Sequence, residues 1–246
     1  MKLFGLIGFP VQHSFSKNYF EKKFQELQLK DHEFRLFPLE DIAAFPKLIH
    51  EHPELSGLAV TIPHKVAIIP MLEHVDAASI QVGAVNCLRI KKGNCYGYNT
   101  DIIGFENSII PHLHQRNQRA LILGTGGAAK AVSYVFQKLN IPYQLVSRMI
   151  SGNGATLTYE SLTQEIMDTY RLIINCTPLG TSPEVNQKPP IPYQYLTSEH
   201  LLFDMVYNPA VTSFMKSGLE QGARAVNGME MLEIQAEANW RIWNED

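Results

Sequence analysis

The sequence contains little of what disulfide frameworks and metal sites are built from. Its 246 residues include three cysteines, Cys87, Cys95 and Cys176, none of them at a short metal-ligand spacing. An odd number of cysteines in apolar or loop surroundings is typical of reduced thiols in a cytoplasmic protein. None of the nine histidines forms a His-x-x-x-His pair, which would place two imidazoles on one helix face. We therefore expect no metal centre.

Long apolar runs and blocks of basic charge are also absent from the sequence. No apolar stretch reaches transmembrane length, and residues 1–10 lack the length and cleavage region of a signal peptide. The net charge of −3 and the pI near 6.3 argue against nucleic-acid and anionic-membrane partners. We expect a soluble cytoplasmic protein, monomeric or homodimeric, whose partner is a small molecule.

Short apolar segments alternate along the chain with segments of helical periodicity. The predicted strands are 3–9, 33–39, 57–62, 83–90, 94–98, 120–123, 143–146, 172–175 and 201–205. The predicted helices are 16–29, 41–51, 66–73, 102–119, a segment ending at 139, and 229–243. Alternation of this kind predicts an α/β fold with mostly parallel strands and right-handed crossovers.

The same pattern predicts two domains. We expect a substrate-binding α/β domain at 1–102 and a Rossmann-like dinucleotide-binding domain at 103–227, with a cleft between them. The amphipathic helix within 228–246 is expected to pack back onto the first domain.

Lys65 stands where a predicted strand is forced to end. The apolar run 57–62 stops at Pro63, which cannot continue a sheet ladder, so the chain turns and presents His64 and Lys65. Ligands of open α/β sheets lie beyond the strand ends. A lysine placed there beside the Thr61 hydroxyl suits proton chemistry, although a lysine taken alone is more commonly a solvated surface residue.

A glycine-rich run, Gly124-Thr125-Gly126-Gly127-Ala128, lies between a predicted strand and a predicted helix. The first glycine permits a tight turn, and the next lets the backbone approach a pyrophosphate. Free amides at the helix start then hold the anion. The alternative is a turn that uses glycine for geometry alone, but the strand and helix around the run favour a nucleotide site.

The next predicted strand ends at Ser147-Arg148. An NAD site normally places Asp or Glu there for the ribose hydroxyl, whereas an arginine suits a 2′-phosphate. No acidic residue occurs between Arg148 and Glu160. NADP is therefore the predicted cofactor, and a solvated surface arginine is the alternative.

Small polar residues follow several predicted strands of the first domain. Ser14 and Ser16 both offer hydroxyls to a small carboxylate, although helix capping also explains Ser16. Asn86 offers a donor and an acceptor, as a polyhydroxylated ring requires. Asp101 precedes a helix, so capping explains it too, but a carboxylate beside Lys65 would complete a proton-handling pair.

Together these segments resemble the shikimate dehydrogenase family, and the resemblance runs from Lys2 to the last helix. The recurring segments, in chain order, are the Ser14/Ser16 loop, Val60-Thr61-x-Pro63-x-Lys65, Gly83-Ala84-Val85-Asn86, Asn99-Thr100-Asp101, the glycine loop with Ser147-Arg148, and Asp204-Met205-Val206-Tyr207-x-Pro209 with Gln235.

The resemblance implies a role for each matching residue. Lys65 and Asp101 are implied as the catalytic pair. The implied substrate contacts are Ser14, Ser16, Thr61, Lys65, Asn86, Asp101, Tyr207 and Gln235. The implied cofactor contacts are Gly124, Thr125, Gly126, Gly127, Ala128, Ser147, Arg148, Met205 and Gly228.

Three features depart from the family pattern. Ala59 replaces an asparagine near the substrate turn, and Glu230 replaces a glycine at the start of the last helix. The segment 149–160 is short and contains glycines where the family has a threonine and then a full helix. This last difference bears on how strongly and how selectively the site around Arg148 binds a 2′-phosphate.

The resemblance implies reversible NADP-dependent reduction of 3-dehydroshikimate to shikimate, a step of the chorismate and aromatic amino-acid biosynthesis pathway. Two alternatives stay open at this point. One is a quinate or dual quinate/shikimate dehydrogenase that uses NAD, and the other is a non-catalytic shikimate-sensing module.

Overall fold

The structure, a computed structural model, describes residues 1–12, 14–113, 118–150, 152 and 154–245. The chain divides into two compact units, Met1–Thr100 with Ala236–Asp246, and Asp101–Gln235. Each unit contains one six-stranded sheet. Across the described ranges, no helix combines the length and the apolar composition that crossing a membrane requires.

The first unit is built on a mixed sheet. Its strands are β1 (Lys2–Gly8), β2 (His32–Pro38), β3 (Leu55–Val60), β4 (His74–Val75), β5 (Cys87–Lys91) and β6 (Asn94–Tyr98), and its helices are α1 (Phe15–Glu26), α2 (Phe45–Glu51), α3 (His64–Ala67) and α4 (Ala77–Val82). The strand order is β2-β1-β3-β5-β6-β4. The β1 strand is parallel to β2 and β3, whereas β5 is antiparallel to both of its neighbours.

Successive side chains of the central strands of this sheet divide between two apolar clusters. Leu3 and Ile7 of β1 belong to one cluster, and Phe4 and Leu6 belong to the other. This division follows from the two-residue period of a strand, which sends alternate side chains to opposite faces. Trp243 lies in the second cluster, with its indole directly over Gly57, where a Cβ would meet the ring at 2.3 Å.

The second unit has an all-parallel sheet. Its strands are β7 (Ala120–Leu123), β8 (Tyr143–Ser147), β9 (Leu157–Thr158), β10 (Leu172–Asn175), β11 (Leu201–Asp204) and β12 (Arg224–Val226). Its helices are α5 (Thr100–Ile109), which begins at the boundary, α6 (Gly127–Lys138), α7 (Gln164–Thr169), α8 (Ser213–Glu220) and the first part of α9 (Met229–Asn244).

The order β12-β11-β10-β7-β8-β9 is that of a doubly wound sheet, whose direction of progression reverses between β7 and β10. Ligands of such sheets bind beyond the carboxyl ends of the strands at that reversal. The β7, β10 and β11 strands are fully buried, which explains why these three segments read as short, continuous apolar runs. The predicted α/β class with a Rossmann-like domain is confirmed.

Several local predictions were wrong. Ser14, not Ser16, is the N-cap of α1, because its extended backbone lets its Oγ accept from the Ser16 amide at 3.2 Å. The predicted strand 83–90 begins only at Cys87, since Gly83 adopts φ 65° and ends α4. The predicted helix 66–73 is the short α3 followed by a 3-10 turn at Ile69–Met71, where Pro70 interrupts it.

Candidate active site

The turn after β3 places Lys65 just beyond the carboxyl end of that strand. The Thr61 amide donates to the Ile7 carbonyl at 2.9 Å, and the His64 amide donates to the Thr61 carbonyl at 2.9 Å. Gly8 makes room for this turn, because a Cβ there would lie 2.3 Å from the Thr61 methyl group. Lys65 therefore follows a closely packed turn, and its side chain is partly buried.

His64 anchors the turn from within the core. Its side chain is 3% exposed, and Nε2 lies 2.5 Å from the Leu39 carbonyl oxygen. A carbonyl oxygen only accepts, so Nε2 carries the proton and donates. The residue before Lys65 is thus tied to the end of β2, which limits the movement of α3.

Backbone hydrogen bonds bring three of the predicted segments together within the first unit. The Val85 amide donates to the Lys65 carbonyl at 2.7 Å. The Asn86 backbone lies between β3 and β6, donating to the Tyr98 carbonyl and accepting from the Val60 amide. The Asn86 side-chain oxygen accepts from the Thr100 amide at 2.7 Å. Lys65, Asn86 and the residue before Asp101 therefore belong to one connected network.

This network uses the Asn86 oxygen in a way that the sequence did not indicate. Asn86 is 4% exposed, and its Oδ1 serves the start of α5. The amide Nδ2 of the same side chain only donates. The Asn99 Nδ2 donates to the Ala84 carbonyl at 2.8 Å, which joins the same two segments a second time.

The two predicted serines lie at the start of α1. Ser14 is partly buried and caps the helix, whereas Ser16 lies inside the first turn and is 9% exposed. A capping hydroxyl near free helix amides is a favourable place for an anion. The geometry thus keeps Ser14 and Ser16 adjacent, as the carboxylate prediction requires.

Asp101 and Gln235 belong to the second unit. Asp101 lies in the first turn of α5 and is 7% exposed, and Gln235 lies on α9 and is 8% exposed. The Gln235 Nε2 donates to the Leu232 carbonyl at 3.1 Å. Both are polar side chains at buried positions, where polar groups require partners.

The glycine loop joins β7 to α6 as predicted. Gly124 adopts φ 108°, a backbone conformation that favours glycine, and its amide donates to the Val146 carbonyl at 2.8 Å. Gly126 is the N-cap of α6, and within the described ranges no side chain caps this helix. A Cβ on Gly126 would meet no described heavy atom within 4 Å. Uncapped amides beside open space fit the pyrophosphate of NADP.

Ser147 ends β8, and Arg148 follows it as an exposed side chain. Burial raises the pKa of Tyr159 to about 12, and the nearby Arg148 guanidinium acts in the opposite direction. In the described part of 149–160 the chain forms the short strand β9 beside β8 rather than a helix. Arg148 is thus an exposed cation just beyond the carboxyl end of β8, as a 2′-phosphate site requires.

Met205, Tyr207 and Gly228 lie around the end of β11. A Cβ on Gly228 would lie 2.4 Å from the Met205 carbonyl oxygen, so only glycine allows this approach. The Met229 amide donates to the Asn227 side chain, whose Nδ2 in turn donates to the Ala210 carbonyl. The start of α9 is therefore attached to the segment that carries Met205 and Tyr207.

Asp204 is a fully buried carboxylate that organises these strand ends. Its Oδ1 accepts from the Asn175 side chain at 2.9 Å and from the Val206 amide at 3.0 Å, and its Oδ2 accepts from Thr212. Burial raises its pKa to about 6, although all three hydrogen bonds act to lower it. The sequence marked Asp204 as part of a motif, but only tertiary packing reveals its burial.

The departures from the family pattern have local explanations. Ala59 is 6% exposed and packs in the aromatic cluster of the first unit with Phe4 and Trp243. Glu230 is exposed in the first turn of α9, where a carboxylate favours the positive helix end. The start of α9 therefore accommodates Glu230 without a break in the helix.

Known proteins are similar to this chain over most of its length. The model of the shikimate dehydrogenase substrate binding domain matches residues 6–88. The shikimate dehydrogenase (NADP(+)) of Staphylococcus aureus strain MRSA252 is 35% identical, covering 98% of this chain and 91% of its own. That of Methanosphaera stadtmanae is 33% identical, covering 93% and 86%.

A solved structure gives the same result for the fold. The shikimate 5-dehydrogenase of Thermus thermophilus, in complex with NADP(H) and shikimate, matches with a TM-score of 0.86 at 25% identity. The match covers 99% of this chain and 94% of the other. With relatives above 30% identity over nearly its whole length, this chain belongs to the shikimate dehydrogenase family.

Proposed function

We propose that this protein catalyses the reversible, NADP-dependent reduction of 3-dehydroshikimate to shikimate in aromatic amino-acid biosynthesis. The observation that carries the proposal is the connected network of the first unit, in which the Lys65 carbonyl accepts from Val85 and the Asn86 side chain accepts from Thr100. Asp101 follows Thr100 directly in the chain. Lys65 therefore belongs to this hydrogen-bonded network, and Asp101 is the residue that comes directly after the network's Thr100 in the chain.

Lys65 supplies the proton to the alkoxide during reduction and removes it during oxidation. NADP, when bound, supplies the hydride chemistry. Asp101 is assigned as the acidic member of this catalytic pair. Positioned acid–base groups typically contribute about 10²–10⁴-fold to a rate.

The substrate is a small carboxylate with ring hydroxyls. Ser14 and Ser16 are assigned to its carboxylate, since both lie at the start of α1. Thr61, Asn86, Tyr207 and Gln235 are assigned to the ring. For Asn86 we assign a donating role through Nδ2, because its Oδ1 already accepts from Thr100.

The second unit is assigned to the cofactor, with its pyrophosphate at the uncapped start of α6. The backbone of Gly124, Thr125, Gly126, Gly127 and Ala128 forms that loop. Ser147 and Arg148 hold the 2′-phosphate, and Met205 and Gly228 complete the cofactor surface.

The two domains divide these tasks: residues 1–102 with the last helix bind substrate, and residues 103–227 bind NADP. We place the protein in the cytoplasm, as a monomer or homodimer without nucleic-acid or membrane partners.

The test is the rate of nicotinamide reduction by purified protein with shikimate, measured by absorbance with NADP⁺ and NAD⁺ in parallel. Formation of NADPH in preference to NADH supports the reaction and the Arg148 assignment. Formation of NADH alone retains the reaction and removes the phosphate assignment. Turnover only with quinate, or shikimate binding without turnover, overturns the proposal in favour of a quinate dehydrogenase or a sensing module.

A further inference from the structure

Two helices of the second unit meet at Gly104 with no side chain between their backbones. A Cβ on Gly104 of α5 would lie 2.6 Å from the Met231 carbonyl oxygen of α9. The same Cβ would lie 3.1 Å from the Gln235 Cβ. Neither contact is with the far end of a flexible side chain, so a larger residue at position 104 forces α9 to move.

A second glycine, Gly228, fixes the start of α9 against a different segment of the unit. Gly228 precedes α9 and lies against the Met205 carbonyl oxygen, which a Cβ would meet at 2.4 Å. The first seven residues of α9 are thus held between the end of β11 and the middle of α5. The nearest atom to a Cβ at each glycine is a backbone carbonyl oxygen, so backbone contacts define the position of this part of α9.

The two contacts determine where two buried polar side chains point. Asp101 precedes Gly104 by three residues, so both lie on the same face of α5. Gln235 follows Met231 by four residues, so both lie on the face of α9 that meets Gly104. The faces that carry Asp101 and Gln235 are therefore the two faces in contact.

The geometry points to Gly104 as a positioning residue for substrate binding. Its missing side chain sets the separation of α5 and α9, and thereby holds Gln235 where it contacts the ring hydroxyls of the substrate. This role rests on the proposed function, because it takes Gln235 as a substrate contact. Gly104 itself touches no reacting group and acts only through α9.

The test is a double-mutant cycle on Gly104→Ala and Gln235→Ala. Alanine is the mildest change, because its better helix propensity offsets part of the clash. We expect Gly104→Ala to raise the shikimate KM by about tenfold or more and to leave the NADP KM within about twofold, since small misplacements of binding groups are costly. In the Gln235→Ala background the same change should have almost no effect on the shikimate KM.

Gly218→Ala is the matched control. Its Cβ would lie 2.4 Å from a Leu202 methyl group of β11, and neither residue is assigned to the site. This variant should lose stability yet keep the wild-type shikimate KM. If Gly104→Ala does not fold, Met231→Ala, which removes the Cγ atom that a Cβ at position 104 would meet at 3.2 Å, repeats the cycle with Gln235→Ala.

The outcomes separate this inference from the proposed function. Additive effects of Gly104→Ala and Gln235→Ala on the shikimate KM overturn the positioning role while the activity stands. An equal rise of the shikimate KM in Gly218→Ala overturns it as well, because general destabilisation then explains the result. Wild-type protein that neither binds shikimate in calorimetry nor oxidises it overturns the proposed function, and this inference with it.

Discussion

The side-chain oxygen of Asn86 accepts a hydrogen bond of 2.7 Å from the backbone amide of Thr100, at the start of α5. Both residues are buried, at 4% and 0% exposure. A buried amide that loses its acceptor has no access to water in exchange. This one contact therefore supports both the stability of the first unit and the position of the chain that leads to Asp101.

Replacing Asn86 with alanine should lower the free energy of unfolding by about 1–3 kcal/mol, because the Thr100 amide is left unsatisfied. Urea denaturation followed by circular dichroism measures this difference. Asn107→Ala is the control, since the Asn107 side chain is exposed and donates to the Ile103 carbonyl of its own helix. A loss no greater than in that control would show that the Thr100 amide finds another acceptor.

Replacing Lys65 with alanine should lower kcat by about 10²–10⁴-fold, because the proton donor is removed. The NADP affinity should stay unchanged, since Lys65 belongs to the first unit and the glycine loop to the second. Steady-state kinetics and cofactor titration by fluorescence measure the two effects. Lys91→Ala, at an exposed lysine next to the β5–β6 turn, should behave as the wild type. Wild-type turnover in the Lys65 variant would exclude it as the proton donor.

Replacing Arg148 with alanine should raise the KM for NADP by about 10–100-fold, since hydrogen bonds to charged groups contribute about 1.5–3 kcal/mol. The KM for NAD should change little, because NAD has no 2′-phosphate. Arg171→Ala removes another exposed arginine, one that pairs with Glu199 at 3.4 Å, and serves as the control. Equal changes of both KM values would mean that Arg148 does not distinguish the two cofactors.

The raised pKa of the Asp204 carboxyl predicts that the free energy of unfolding depends on pH. Burial raises its pKa from 3.8 to about 6 in the folded protein. A raised folded pKa means that its stabilising contribution is fully present below the unfolded pKa, and is lost as pH rises through the folded pKa. A rise of this size corresponds to roughly 3 kcal/mol.

Asp204→Asn removes this titration while keeping the size of the side chain. The unfolding free energy of the wild type minus that of the variant should therefore fall between pH 3.8 and about 6, and be flat on either side. Urea denaturation at a series of pH values measures it. Identical pH profiles for the two proteins would place the Asp204 pKa at its ordinary value.

Local patterns predicted much of the fold correctly. The glycine loop was recognisable because a strand, a tight turn and a helix start are adjacent in sequence, and Gly124 has the positive φ that such a turn uses. The all-parallel sheet of the second unit followed from continuous apolar runs separated by helices. The turn at Lys91-Lys92-Gly93 predicts the antiparallel hairpin of β5 and β6, and this prediction is confirmed. The antiparallel pairing of β5 with β3 was not foreseen, because these two strands are distant in the chain.

Side-chain roles divided in the same way. The chain order of Thr61, Pro63 and Lys65 determined that a lysine would follow a strand end, since proline stops the ladder whatever lies around it. Nothing in the sequence marks Gly104, because an isolated glycine in a helix has the same local signal wherever its face points. Its contact with Met231 exists only when two distant helices pack.

The sequence by itself therefore determined most of the element types, the glycine loop, the strand-end lysine and the family. Each of these depends on neighbouring residues, on backbone restrictions of glycine and proline, or on motif order. Tertiary structure decided that Asn86 serves Thr100, that Asp204 is buried with a raised pKa, and that Gly104 lets α5 meet α9. Those properties arise from desolvation and contact between remote segments, which short-range patterns do not encode.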